Sequence, residues 1–328
     1  MTGGISLYNG RNKSLRSVEF PDLQYLDSFH ALHDALPWLS KLSMPKLERA
    51  KTMHVEVVSA SDVTLEFPSL QWVDWVRMRG NWSSVHFSEL REVNGTFSLC
   101  QDENCIGQHG KPAIEYSFSR LEQVRDKLEL GGNITSLSMP SLARVGLPSS
   151  DETWSQMLKV ALLGPPLNAS FPRLIQCPNV WFQGNISRLH FPSLRNPVEG
   201  FSVFSENELT LDLAIESGDY FSISGASDIH LPNLTHFRSI SVNGAPGFDC
   251  SGFINDVEKT ATSGDRSVYC SVDSLGGLST GAKAGIGIGV ACGAVALMGL
   301  AFKMWYRSIA KRNVMKQGNS EELPALSR

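Results

Sequence analysis

The sequence predicts an all-β chain: a right-handed parallel β-solenoid followed by one C-terminal transmembrane helix. Three observations carry this: a short apolar motif recurring at a near-constant interval, Gly, Ser, Asn and Pro between the copies, and one uncharged apolar run near the end. A period of 20 to 24 residues is the signature of a solenoid, in which each unit buries its apolar edge only against its neighbours.

The motif is an apolar residue, usually Pro, any residue, then Leu. Its nine copies begin at Phe20, Met44, Phe67, Phe87, Phe118, Met139, Phe171, Phe191 and Leu231, at intervals of 24, 23, 20, 31, 21, 32, 20 and 40 residues. The last interval reads as two periods with one degenerate copy, and two others carry insertions at 99–111 and 146–166. Two residues before each copy stand mostly apolar residues (Val18, Leu42, Leu65, Val85 and Leu137 among them), the alternation of a strand with one face inward. Three residues after the Leu come Leu26, Ala50, Val73, Val93, Val124, Val145 and Cys177. Pro cannot donate to a ladder, so it marks a corner between two short strands. Gly80-Asn81, Gly132-Asn133 and Gly184-Asn185 each lie shortly before the next copy and mark a turn. Each unit therefore reads strand, Pro corner, strand, Gly-Asn turn. Asp22, Glu66 and Arg120 are expected to point outward. In the second insertion Trp154, Met157, Leu158 and Ala161 stand at helical spacing, which predicts a helical excursion from the solenoid.

The organisation that follows is solenoid repeats over 1–249, a disulfide-stapled cap over 250–270, a Gly/Ser stalk over 271–283, a span over 284–302 and a tail over 303–328. The run from Ala284 to Phe302 is 19 residues without a charge, enough to cross a bilayer core as a helix. Arg307, Lys311, Arg312 and Lys316 follow it, so the positive-inside tendency places the C-terminus in the cytoplasm and the solenoid outside, at the plasma membrane. A buried helix of a soluble core is the alternative for this run. Gly281, Gly285, Gly289 and Gly293 share one helix face and predict lateral dimerisation in the membrane.

Asn-x-Ser/Thr glycosylation signals occur at Asn12, Asn81, Asn94, Asn133, Asn168, Asn185 and Asn233, all before the span. Turn asparagines are the competing reading for each. Of the six cysteines, Cys292 lies in the apolar run. Cys100 with Cys105 is read as a local disulfide and Cys250 with Cys270 as the staple of the cap. Cys177 occupies a core position held elsewhere by Val, where a thiol packs as a small hydrophobe.

A net charge of −4 lacks the basic footprint of a nucleic-acid binder. No nucleophile elbow, Walker loop or zinc-ligand spacing is present, and no cofactor is expected. Asp212, Glu216 and Asp219 are the carboxylates that a polysaccharide-cleaving β-helix would need brought together, although solvated surface is the simpler reading. His54, His86, His190, His230 and His236 are placed near strand ends without a role.

The Phe/Leu-Pro-x-Leu-x-x-Val repeat, the Gly-Asn turns and the closing Cys250…Gly264-Asp265…Cys270 resemble the fungal cell-wall-organisation glycoproteins. These have a receptor-L-domain-like (leucine-rich-repeat-like) ectodomain and are related to yeast sporulation-specific surface proteins. The resemblance covers residues 3 to 271. It implies a non-enzymatic role in wall assembly or integrity, with wall polysaccharide or other surface proteins as partners and no catalytic residues to carry over. It also implies a signal peptide and a cysteine-bearing cap before Thr2-Gly-Gly-Ile-Ser-Leu-Tyr, so the chain is expected to lack its N-terminal cap. A receptor-like ligand-binding protein is the first alternative, and a polysaccharide-active β-helix enzyme the second. Because Leu65, Phe67, Leu70 and Val73 read as interior, function is expected on Glu66, Ser69, Gln71 and Trp72 between them and in the two insertions.

Overall fold

The structure, a computed structural model, describes residues 3–7, 15–31, 38–57, 62–102, 105, 111–146, 156–195, 198–262 and 266–272. All of these fall within the unit Met1–Asp273. They form a parallel β-solenoid of about nine turns with almost no helix. Every strand pairing among them is parallel.

One coil shows the rule. The strand Val63–Glu66 alternates buried and half-buried residues, turns at Pro68-Ser69, and continues as Trp72–Gly80 on the opposite side. Leu65, Phe67, Leu70 and Val73 are all fully buried. The corner is a β-turn in which the Leu70 N–H donates to the Phe67 carbonyl at 3.2 Å. The same bond recurs at Met44/Leu47, Phe87/Leu90, Met139/Leu142, Phe171/Leu174 and Leu231/Leu234. Pro suits the second turn position because its fixed φ matches and no N–H is needed there. The corners also bond from coil to coil: the amides of Phe67, Phe118 and Phe171 donate to the carbonyls of His86, Ser138 and His190.

The Gly-Asn turns close three of the coils. Gly80, Gly132 and Gly184 have φ of 146°, 141° and 113°. A Cβ at Gly80 or Gly184 would stand 2.1 or 2.0 Å from the carbonyl oxygen of Val57 or Leu162 in the preceding coil. Only glycine fits a left-handed backbone pressed this close to another strand.

The interior is a stack of matched rungs. The Phe171 and Phe191 rings lie parallel at 4.9 Å, Phe67 and Phe87 at 5.3 Å, while Phe97, Phe182 and Phe201 reach in edge-on from the opposite side. The degenerate copy is at Leu211 and Leu213, where Ile215 takes the place of the motif Leu without a Pro, and all three are fully buried. Here the long strands Val198–Leu213 and Ser217–His230 run through the turn from one side to the other, with register shifts near Leu209 and Ala226.

Two expectations change. The helical excursion over 146–166 is absent from its described part: Met157–Leu162 is a strand, paired with Lys127–Gly132 and Asn179–Gly184. Leu158 and Val160 point inward opposite Leu128, Leu130, Val180 and Phe182, so period two prevails over the helical spacing once neighbours exist on both sides. Trp154 lies outside the described residues. Likewise Leu99 and Cys100, assigned to the first insertion, end the ladder strand Phe97–Cys100.

The cap contains a helix, Cys250–Thr260, whose Phe253 and Val257 cover the end of the core and whose Asp249 N-cap accepts from the Gly252 amide at 3.0 Å. The strand Ser267–Val272 then adds a last rung beside His236–Gly244, so the ladder runs two residues into the expected stalk. No helix of the described residues is long and apolar enough to cross a membrane. The run 284–302, its glycines, the rest of the stalk, the tail, Asn12 and Cys292 lie outside them.

Phe171→Ala removes a ring stacked between coils and should lower unfolding free energy by about 3–5 kcal/mol, whereas Asp22→Ala at an exposed corner should change it by less than about 0.5 kcal/mol. Denaturant unfolding of the two variants checks both values.

Candidate functional site

The two expected disulfides are present. Cys100–Cys105 sets Cys105 against Gly131, and Cys250–Cys270 joins the start of the cap helix to the last strand. Cys100, Cys105 and Glu129 lie close enough to hold a metal ion, but the disulfide consumes both thiols and two lysines hold the carboxylate. Cys177 is a fully buried free thiol donating to the Asn179 carbonyl, and burial pushes its pKa up to about 12. It is core filler.

The glycosylation signals divide by geometry. Asn168 and Asn233 are exposed, although the Asn233 amide also donates to the Ala214 carbonyl at 3.4 Å. Asn133 and Asn185 are half-buried after the turn glycines, and their side-chain amides donate to the Lys111 and Gly164 carbonyls of the preceding coils, each at 3.0 Å. The Asn94 amide donates to Asp74, and the side-chain oxygens of Asn81 and Asn94 are buried without a partner among the described residues.

The carboxylates Asp212, Glu216 and Asp219 do not share a constellation. Asp212 stands 3.2 Å from His190, Glu216 stands 3.9 Å from Arg195, and Asp219 lies in the field of Arg238. His86, His190, His230 and His236 sit at or beside strand ends, but His54 is mid-strand, ring to ring with His30 and Trp75 and 2.9 Å from Glu56. The motif's outward residues are engaged locally. Glu66 accepts from Ser43 and pairs with Lys41, Asp22 pairs with Lys46, Arg120 with Glu89, and the Ser69 hydroxyl bonds the Pro45 carbonyl. Gln71 is exposed, and Trp72 borders a cavity of about 190 Å³ with Tyr25 and Arg49.

The exterior of the second side, where the strands after the Pro corners lie, is divided by chemistry. Its N-terminal half is charged: His30, His54 and Arg77 stand in one row, with Glu56 and Arg79 beside it. Glu129 ends this half. Its carboxylate takes Lys127 and Lys159 at 3.0 Å each and the Ser98 hydroxyl at 3.1 Å. Burial raises its pKa, but the hydrogen bonds and charges of the two lysines outweigh that and hold it below the ordinary value.

The C-terminal half carries no charge in three rows of five outward positions. These are Asn179–Gly200–Tyr220–Ser239–Ser267, Trp181–Ser202–Ser222–Ser241–Tyr269 and Gln183–Phe204–Ser224–Asn243–Ser271, of which Asn179 is itself covered, its amide donating to the Gln156 carbonyl at 3.3 Å. Phe204, Tyr220 and Tyr269 are 41%, 44% and 64% exposed. Strand and pleat spacing give the patch about 19 Å by about 13 Å. Sequence reasoning missed this surface, although serine alternating with apolar residues in FSVF, YFSIS, SISVN and SVYCS was its signal.

On the opposite side the ladder breaks: the strand Trp82–His86 ends one sheet and Ile114–Ser117 begins another. A crevice of about 580 Å³ lies there, lined by Ser83, Ser84, Ser88, Ser117, His86 and Glu115 among others. Inside, the Trp82 indole N–H still donates to the Tyr116 hydroxyl at 3.4 Å, so the core continues across the break.

Comparison with protein-family models, curated proteins and solved structures returned no match. The functional reading therefore rests on the chain's own chemistry.

Two outcomes test the buried groups. In Glu129→Gln the lysines lose a buried carboxylate, so stability at neutral pH should fall by about 1–3 kcal/mol. Because the native carboxyl titrates below 4.5, its contribution is present above that value and is lost as pH falls through the native one. The variant should therefore lose stability less steeply than the parent below pH 4.5, which acid unfolding curves measure. Cys177 should resist a thiol reagent in the native protein and react fully in denaturant, which mass spectrometry reads directly.

Proposed function

We propose that this chain is a non-enzymatic cell-surface glycoprotein that contributes to cell-wall organisation or integrity. In this reading a right-handed, receptor-L-domain-like solenoid stands outside the cell, the run 284–302 holds it at the plasma membrane, and 303–328 lies in the cytoplasm. The observation that carries the reading is the uncharged serine-aromatic exterior, a broad rigid surface suited to an extended partner. At the N-terminal end, by contrast, outward charged groups pair from coil to coil, as in Lys46–Asp22 and Lys51–Asp27. The two disulfides support an oxidising compartment. The exposed signals at Asn168 and Asn233 support glycan attachment. Lateral association through Gly285, Gly289 and Gly293 belongs to the same proposal.

The test is a chain with the tail 303–328 deleted, expressed in cells that lack the parent protein. A wall organiser retains surface display and wall resistance to a wall-stressing dye, whereas loss of resistance with display intact would replace it by a signalling receptor. In the same cells Asn168→Gln and Asn233→Gln should each remove one glycan, seen as a stepwise gel shift that endoglycosidase treatment abolishes.

A further inference from the structure

We propose that the uncharged outer face of the last five strands, from Asn179–Gly184 to Ser267–Val272, binds a neutral polysaccharide chain. The proposal rests on the reading of the chain as a wall-contacting surface protein and names the polymer's chemistry.

Three features of the face select the ligand. First, its fifteen outward positions hold no Lys, Arg, Asp, Glu or His. An acidic polysaccharide or a nucleic acid needs cations against its anionic groups. The cations of this side stand in the other half or on the rim, where Lys159 lies 5.2 Å from the Trp181 ring and Arg238 lies 5.4 Å from the Tyr220 ring. Second, the centre is hydroxyl. Ser202, Ser222 and Ser241 are consecutive in one row, and no hydrogen bond engages their hydroxyls among the described residues. Covering them with an apolar partner would leave those groups unsatisfied, whereas sugar hydroxyls both donate and accept. Third, the aromatic residues are distributed over the hydroxyl field. Trp181 and Phe204 stand at its N-terminal side, Tyr220 on one flank and Tyr269 at the far end of the serine row. An exposed ring offers its face to the C–H groups of a pyranose while neighbouring serines bond the hydroxyl edge.

The geometry also favours a polymer. Identical serines recur once per coil, about 4.8 Å apart along the solenoid axis. A ligand made of identical units meets the same hydroxyl at each step. The Arg238 guanidinium donates to the Tyr220 hydroxyl at 2.8 Å and fixes that ring from the rim. Of the other serines, Ser267 donates to Ser239 at 3.0 Å and Ser271 to Asn243 at 3.4 Å.

The experiment is co-sedimentation of the purified full-length chain, in detergent, with an insoluble neutral β-glucan, with chitin and with insoluble anionic pectate. The parent should sediment with a neutral polymer and remain in solution with pectate. Phe204→Ala/Tyr269→Ala, at two exposed positions, should weaken that binding by about tenfold or more. Ser222→Glu/Ser241→Glu, which puts charge into the row, should do the same, and Trp75→Ala in the charged half should leave binding unchanged. Melting temperature is measured for every variant, and only those melting with the parent are compared. If the parent binds a neutral polymer and both double variants bind equally well, another surface is responsible. That result overturns the proposal while the wall-contact reading stands. If the parent binds none of the polymers, or binds pectate best, the proposal is overturned as well, and tail-deletion cells that keep their wall resistance would still leave the broader reading intact. Capture of a second protein that the glutamate substitutions abolish, without polysaccharide binding, replaces the ligand class.

Discussion

The structure depends on one constraint: parallel strands bonded coil to coil must advance by the same rise at every step. A fixed rise of about 4.8 Å means that each interior residue meets a counterpart directly above and below it. Aromatic rings meet rings, as Phe171 meets Phe191, and aliphatic residues meet aliphatic residues, as Val73 meets Ala50 and Val93. The corner turn keeps this register, because its apolar first residue and its Leu both face the core while the two residues between them face solvent. The turn glycines keep it at the other end, where the preceding coil leaves no room for a side chain.

This constraint explains what the sequence revealed and what it concealed. The corner motif was legible because packing demands the same residues at the same place in every coil, so Phe67 and Leu70 predict Phe171 and Leu174. The strand Met157–Leu162 was not. Met157, Leu158 and Ala161 satisfy helical spacing, and Leu158, Val160 and Leu162 satisfy strand spacing, so only the neighbouring strands decide between them. The cap helix was also missed, since its buried face amounts to Phe253 and Val257 within a polar segment. The outward rows were least legible of all. No packing rule acts on them, and their composition means nothing until the register places Ser202, Ser222 and Ser241 side by side.

The same division assigns roles. Interior residues are interchangeable carriers of the rise, and most polar residues at the corners are absorbed in pairing with the next coil. The exterior of the second side is where the chain departs from uniformity. It passes from a cluster of histidine, arginine and glutamate, through the buried Glu129 with its two lysines, to a field of serine and aromatic residues. Charge segregation along one rigid face is not required for folding, since either half would solvate a sheet equally well. It is therefore the feature on which the proposed recognition rests, and the disulfide-bonded cap anchors its far end.

Residue-level hydrogen exchange on the intact chain reads the continuous coil-to-coil ladder directly. The corner amides of Phe67, Phe118 and Phe171, which donate to the next coil, should exchange among the slowest in the protein, with protection decreasing toward the terminal coils. Corner amides exchanging as fast as the exposed turn residues, with slow exchange confined to isolated segments, would contradict it.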